Sequence, residues 1–75
     1  MTTTPRVLDD HRLVHKVNQI ALFFEPYPRE TAVEGVVDHL KKYWTPAMRQ
    51  QLVAFAASER AGQLHVLVHE AATRL

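Results

Sequence analysis

The sequence contains no cysteine, which excludes disulfides, thiolate zinc sites, iron–sulfur clusters held by this chain and a cysteine nucleophile. Glycine occurs only twice and proline four times, which argues against a disordered chain. Neither sign of charge dominates. Nine Lys or Arg stand against eight Asp or Glu, a formal net charge of +1 that sets up no large field to attract nucleic acid or an anionic membrane. No apolar run approaches the roughly 18–20 residues of a membrane span. Met1 to Arg6 carries three threonines and a proline where a secretory signal would carry an apolar core. The expectation is a cytoplasmic protein that binds neither nucleic acid nor membrane. The sole serine, Ser58, has no Asp–His pair evident around it, so no nucleophile with its base is assembled. Neither G-x-G-x-x-G nor the G-x-x-x-x-G-K-S/T phosphate loop is present, and the backbone cradle for a nucleotide is missing with them.

What is present is a short chain of globular composition. Seventy-five residues make one domain, with 47% hydrophobic and 23% charged residues arguing for a compact fold over disorder. A chain of this size buries only about 60% of the surface its unfolded form exposes. Its core seldom supplies more than about 3–5 kcal/mol. Association with another polypeptide is therefore expected from size alone.

Hydrophobic spacing predicts four short amphipathic helices. After a flexible tail over residues 1–8, a single helical domain spans 9–75. Asp9 or Asp10 caps a first helix whose inward positions are Leu13, Val14, Val17, Ile20, Ala21 and Phe24, and Glu25-Pro26-Tyr27-Pro28 halts it. A second helix runs from Arg29 to about Trp44, with Ala32, Val33, Val36, Val37, Leu40, Tyr43 and Trp44 on or beside one stripe. Lys41 and Lys42 lie in its last turn, where cations favour the helix dipole. Thr45-Pro46 supplies an N-cap and a first-turn proline for a third helix, predicted to run to about Arg60 with Met48, Leu52, Phe55 and Ala56 inward. Gly62 is expected as a left-handed C-terminal residue. Leu64, Leu67, Val68, Ala71 and Leu75 then mark a fourth helix. The fold class is all-α, a small bundle of four short helices.

Several features stand outside this pattern. The apolar arc broadens at Leu22, Phe23 and Phe24, and again at Tyr43 and Trp44, more than a thin bundle covers; the surplus reads either as a docking surface or as aromatic core. His11 with His15, and His65 with His69, stand at the i, i+4 spacing that can place two imidazoles on one metal. No third ligand is placed nearby, and all four read as solvated surface residues, as does His39. Glu30, Glu34 and Asp38 followed by Lys41 and Lys42 form a solvated charged face. Helices two and three resemble a helix-turn-helix with Lys41, Lys42 and Arg49 near any phosphate, against the near-neutral charge of the whole. Gly35, inside helix two, costs about 1 kcal/mol relative to Ala. Either a neighbouring backbone approaches there or the glycine is a tolerated defect.

Three segments carry a family resemblance. Leu13-Val14-His15-Lys16-Val17-Asn18-Gln19-Ile20-Ala21-Leu22-Phe23-Phe24 pairs an N-Q-I segment with a double aromatic. His39-Leu40-Lys41-Lys42-Tyr43-Trp44-Thr45-Pro46-Ala47-Met48-Arg49 has an H-L, basic, aromatic-W-x-P-x-M-R pattern. Leu64 to Leu75 carries an L-x-x-L-V-x-x-A stretch. Together they resemble the delta subunit family of NAD-dependent formate dehydrogenase, departing from it at Arg60-Ala61-Gly62-Gln63, where a more glycine-rich link is expected. The resemblance implies a non-catalytic accessory subunit of a soluble, molybdenum-dependent enzyme. Its molybdenum cofactor, iron–sulfur clusters and FMN would be held on larger partner subunits and none on this chain. Its partner would be the molybdenum-containing catalytic subunit, with a role in assembly, cofactor insertion or stabilisation.

The expected partner-binding residues are Asn18, Gln19, Leu22 and Phe23 from helix one with Trp44, Pro46 and Arg49 at the second junction. Asn18 and Gln19 would supply hydrogen bonds, the aromatics would anchor, and Arg49 would fork onto a partner carboxylate or cap carbonyls. Each junction residue also has a structural reading: Trp44 as core filler, Pro46 as helix starter and Arg49 as solvated charge. The alternatives are a small helical homodimeric or DNA-binding regulator and a metal-buffering protein built on the histidine pairs.

Overall fold

The computed structural model describes residues 9–75; the tail expected over residues 1–8 lies outside the described residues. Four α-helices follow in order, α1 (Asp10–Phe24), α2 (Arg29–Tyr43), α3 (Pro46–Ala56) and α4 (Val66–Ala72), with a 3-10 turn over Ala61–Gln63 before the last. There is no strand among the described residues, so the all-helical bundle read from the spacing is the fold observed. Helix α2 is its centre. It packs on α1, α3 and α4, and α4 also touches α1 and α3.

The core is built from the predicted stripes. Leu13, Val17 and Ala21 of α1, Ala32, Val33, Val36 and Leu40 of α2, Leu52 and Phe55 of α3, and Leu67, Val68 and Ala71 of α4 form one buried cluster. Trp44 and Leu64, flanking the helices, complete it. Each fully buried aliphatic side chain contributes about 1.5–3 kcal/mol relative to exposure. A single layer of such contacts therefore sets the stability of the whole chain.

Helix ends follow local chemistry. Asp9 caps α1 by accepting from the Arg12 N–H at 2.8 Å, and Thr45 caps α3 by accepting from the Met48 N–H at 3.2 Å with Pro46 in the first turn. Such caps are typically worth about 1 kcal/mol each. Proline also holds the residue before it extended, and Thr45 adopts φ −69°, ψ 158°.

Helix α3 ends at Ala56, short of the predicted Arg60. The Ser58 hydroxyl donates to the Phe55 carbonyl at 2.6 Å and accepts from the Arg60 N–H at 3.2 Å, offering the backbone a turn in place of another helical repeat. Gly62 is not left-handed, since no glycine has positive φ, and it sits inside the 3-10 turn. The connection closes without the conformation that would have required glycine. Helix α4 starts at Val66, after His65 has taken an extended conformation as its N-cap.

Gly35 is explained by a side chain, where the sequence suggested a neighbouring backbone or a tolerated defect. A Cβ built there would lie 2.4 Å from Cε1 of Phe24. The bare face of α2 is the seat of that ring, which lets α1 and α2 approach at the end where they are joined.

Candidate partner-binding surface

Two flanks of α1 are separated by the core. Successive residues of a helix are turned by about 100°, so positions three and four apart share a side. Asn18, Leu22 and Glu25 look toward α4; Gln19, Ile20 and Phe23 look toward the far end of α2. The four α1 residues expected to act together are thus divided between two surfaces.

On the α4 side, Asn18 is a tether. Its amide Nδ2 donates to the Gln63 carbonyl at 2.9 Å and its Oδ1 accepts from the His65 N–H at 2.8 Å, so one side chain holds the turn before α4 against α1. His65 continues the tether. Its Nδ1 accepts from the Leu67 N–H at 3.0 Å, capping α4, while Nε2 lies 2.8 Å from a Glu25 carboxylate oxygen. The neutral tautomer with hydrogen on Nε2 satisfies both contacts. His65 is half-buried and engaged, unlike the solvated residue the sequence suggested; its carbonyl accepts the first helical bond from the His69 N–H at 3.1 Å, but its ring is spent on Leu67 and Glu25. Leu22, 47% exposed, lies on this same flank.

The α2 side is apolar and open. Phe23 is 68% exposed and Tyr43 is 72% exposed. Phe23 meets Phe24 edge to face at 5.0 Å between ring centroids, and Tyr43 lies 4.8 Å from the half-buried His39 ring. Gln19, Ile20, Phe23, Phe24, His39 and Tyr43 line one hollow between α1 and α2. The neighbouring hollow shares Gln19, Ile20, His39 and Tyr43, and continues past Trp44 and Met48 to His15 and Lys16. Ile20 and His39 thus line this surface although neither was expected there, and Tyr43, already part of the apolar surplus, lines it with them. The i, i+4 spacing of His39 and Tyr43 was the available signal.

At the second junction Trp44 fills core and Pro46 starts a helix, while Arg49 caps carbonyls where a solvated charge was the structural reading. Trp44 is 8% exposed and belongs to the core, with one edge reaching the hollow. Pro46 opens α3. Arg49 donates through Nη1 to the carbonyls of Trp44 at 2.8 Å and Lys41 at 3.3 Å, satisfying acceptors that the end of α2 leaves unpaired. Pro46 and Arg49 also line a separate hollow with Gln50, Val53, Ala54 and Leu75, away from Phe23. The cation best placed for a phosphate in the helix-turn-helix reading is thereby committed to its own backbone.

Charged groups are arranged as fasteners. Arg60 and Gln51 both bond Asp10, and these hydrogen bonds, Arg60 first, hold its carboxyl below the ordinary carboxylate range. Arg74 forks onto Glu30 at 2.8 and 3.2 Å, which lowers the Glu30 pKa and raises that of Arg74, while Arg29 reaches Glu70 at 2.6 Å. These pairs lace α4 to the start of α2. Among the described residues no group of three or more His, Cys, Asp or Glu is disposed to hold a metal, and the chain has no cysteine. No helix of the described residues is long and apolar enough to cross a membrane.

The fold and this open aromatic flank define a small all-helical protein with an apolar face left uncovered. Residues 12–72 match the family model described as NADH-dependent formate dehydrogenase delta subunit FdsD, and the chain belongs to that family. It is accordingly a non-catalytic accessory component, in agreement with the resemblance carried by the three sequence segments. Comparison with curated proteins and with solved structures gave no match.

Proposed function

We propose that this chain acts in the cytoplasm by binding the molybdenum-containing catalytic subunit of an NAD-linked formate dehydrogenase, and that the contact supports assembly, cofactor insertion or stability of that subunit. The observation that carries the reading is the pair of aromatics, Phe23 and Tyr43, left exposed beside a hollow floored by Ile20 and Phe24. Exposed aromatics on a chain with so thin a core are costly to keep in water, and large aromatics are the usual anchors of protein interfaces. Gln19 lies at the edge of that hollow and supplies a hydrogen-bonding side chain to the rim. Molybdenum cofactor, iron–sulfur clusters and FMN belong to the larger subunits in this reading, and the present chain contributes by contact alone.

The test is co-expression of the tagged chain with the larger subunits of its formate dehydrogenase. Stoichiometric capture of the catalytic subunit is expected, together with a lower molybdenum content of that subunit in cells lacking the chain. Absence of capture at low ionic strength would refute the proposal.

A further inference from the structure

Three hollows adjoin along one side of α1. The aromatic hollow at Phe23 shares four lining residues with the one that reaches Lys16, and that one shares His15 and Lys16 with a third, completed by His11 and Arg12. They make a continuous track from Arg12 to Phe23. At the helical rise of about 1.5 Å per residue the track is about 17 Å long, room for roughly three turns of a second helix.

Its chemistry is graded. The Phe23 end is floored by Ile20 and Phe24; the other end carries Arg12 and Lys16. No Asp or Glu lines any of the three hollows. The ion pairs of the described residues also leave Arg12 and Lys16 out, whereas Lys42, Arg29, Arg60 and Arg74 are each paired with a carboxylate of this chain. Cations on a surface that supplies them no carboxylate favour an acidic partner.

Resting on the proposed function, we infer that this track receives an amphipathic helix of the catalytic subunit, with apolar residues against Ile20 and Phe23 and Asp or Glu residues against Arg12 and Lys16. A second copy of this chain fits the track poorly. The acidic stripe of α2 is largely spent within the molecule, Glu30 on Arg74 and Asp38 on Lys42, so it has little to offer those cations. An amphipathic helix is also the form in which an apolar face and a charged face are presented together over such a length.

The test uses the complex of the full chain with the larger subunits. Carbodiimide coupling joins lysine amines to carboxylates in contact, and mass spectrometry of the coupled complex should find Lys16 joined to an Asp or Glu of the catalytic subunit, within a segment whose apolar residues recur every three or four positions. Lys16→Glu should weaken capture roughly tenfold, as charge reversal at an interface rim does. Lys42→Glu changes the net charge equally, outside the track, and should leave capture unchanged. Circular dichroism of both variants should match the parent, since both side chains are exposed.

Capture by the parent chain with no Lys16 coupling and no effect of Lys16→Glu would overturn this inference and leave the proposed function standing. Equal losses in the two variants would do the same, by reducing the effect to net charge. Coupling of Lys16 to another copy of the chain would make the track a dimer face and overturn it too. Failure of the parent chain to capture any subunit would remove both readings together.

Discussion

The ring of Phe24 occupies the space that a side chain on Gly35 would need. Cε1, Cδ1 and Cζ of the ring lie 2.4, 2.6 and 3.0 Å from the position of a Cβ at that glycine. The helical cost of glycine, about 1 kcal/mol relative to Ala, is thus accepted where α1 and α2 must close on each other. Gly35→Ala should therefore destabilise the chain by about 1–3 kcal/mol, the usual penalty of overpacking. In a Phe24→Ala background the same substitution should stabilise by about 1 kcal/mol, because only the propensity gain is left. Denaturant unfolding of the four proteins checks the change of sign; the same sign in both backgrounds would show that the ring does not set the requirement.

This pair also marks what was legible in the sequence. Periods of three and four exposed the inward faces of all four helices, because burial of an apolar stripe is a local pattern. Asp9, Thr45 and Pro46 announced helix starts through chemistry confined to a single turn. The partner of Gly35 was eleven positions away, and nothing in local spacing says which side chain will lean on a bare backbone. His65 escaped for a related reason, since its N–H is held by Asn18 and its ring meets Glu25, both distant in sequence, whereas Ser58 bonds only the backbone of its own turn, at Phe55 and Arg60. The period did separate Phe24, inward, from Phe23, outward, as the structure has them. Only the packed fold shows that His39 and Tyr43 of α2 complete the hollow beside them.

Asn18 should behave as a structural residue before it behaves as an interface residue. It donates to Gln63 and accepts from His65, so Asn18→Ala leaves a backbone N–H and a carbonyl without these partners at the turn before α4. A loss of about 1–3 kcal/mol is expected in chemical denaturation. Asn18→Asp keeps the acceptor for the His65 N–H and loses the donor to Gln63, and should fall between Asn18→Ala and the parent chain. Equal stability of the three proteins would show that the tether does not contribute.

Arg49 closes the end of α2 through Nη1, which reaches two carbonyls at once. A lysine at this position has a single ammonium on a flexible stem and no planar fork. Arg49→Lys should lower stability by about 0.5–1.5 kcal/mol, as loss of a hydrogen bond does, and Arg49→Ala by at least as much. The thermal midpoint of each variant is the measurement. Retention of capture once each variant is compared at equal folded fraction would place Arg49 outside the partner contact.

The two depressed carboxyls give stability a definite dependence on pH. Asp10 is held down by hydrogen bonds from Arg60 and Gln51, and Glu30 by hydrogen bonds from Arg74. A group whose pKa is lower folded than unfolded contributes its stability above the unfolded value and loses it as pH falls through the folded one. Unfolding midpoints should therefore drop as pH falls below about 4, the ordinary carboxylate range. Replacing Asp10 by Asn and Glu30 by Gln together should flatten that decline while lowering the midpoint at neutral pH. High salt should narrow the difference, since both pairs are exposed to solvent. An acid limb unchanged by the double replacement would locate the sensitivity elsewhere.

Phe23 and Leu22 are adjacent in sequence and on opposite flanks of α1, so they separate the two surfaces that a partner can cover. Phe23 sits at the aromatic hollow with Tyr43, whereas Leu22 follows Asn18 by one turn on the side facing α4. Both are exposed, and replacing either by Ser removes apolar surface without opening the core. Helical circular dichroism should be retained in both variants. Phe23→Ser should weaken capture of the catalytic subunit about thirtyfold, the equivalent of an anchor worth about 2 kcal/mol. Leu22→Ser should weaken it by less than about threefold, as peripheral contacts do. A larger loss from Leu22→Ser than from Phe23→Ser would move the contact to the α4 flank, where Asn18 and His65 already bind the molecule to itself.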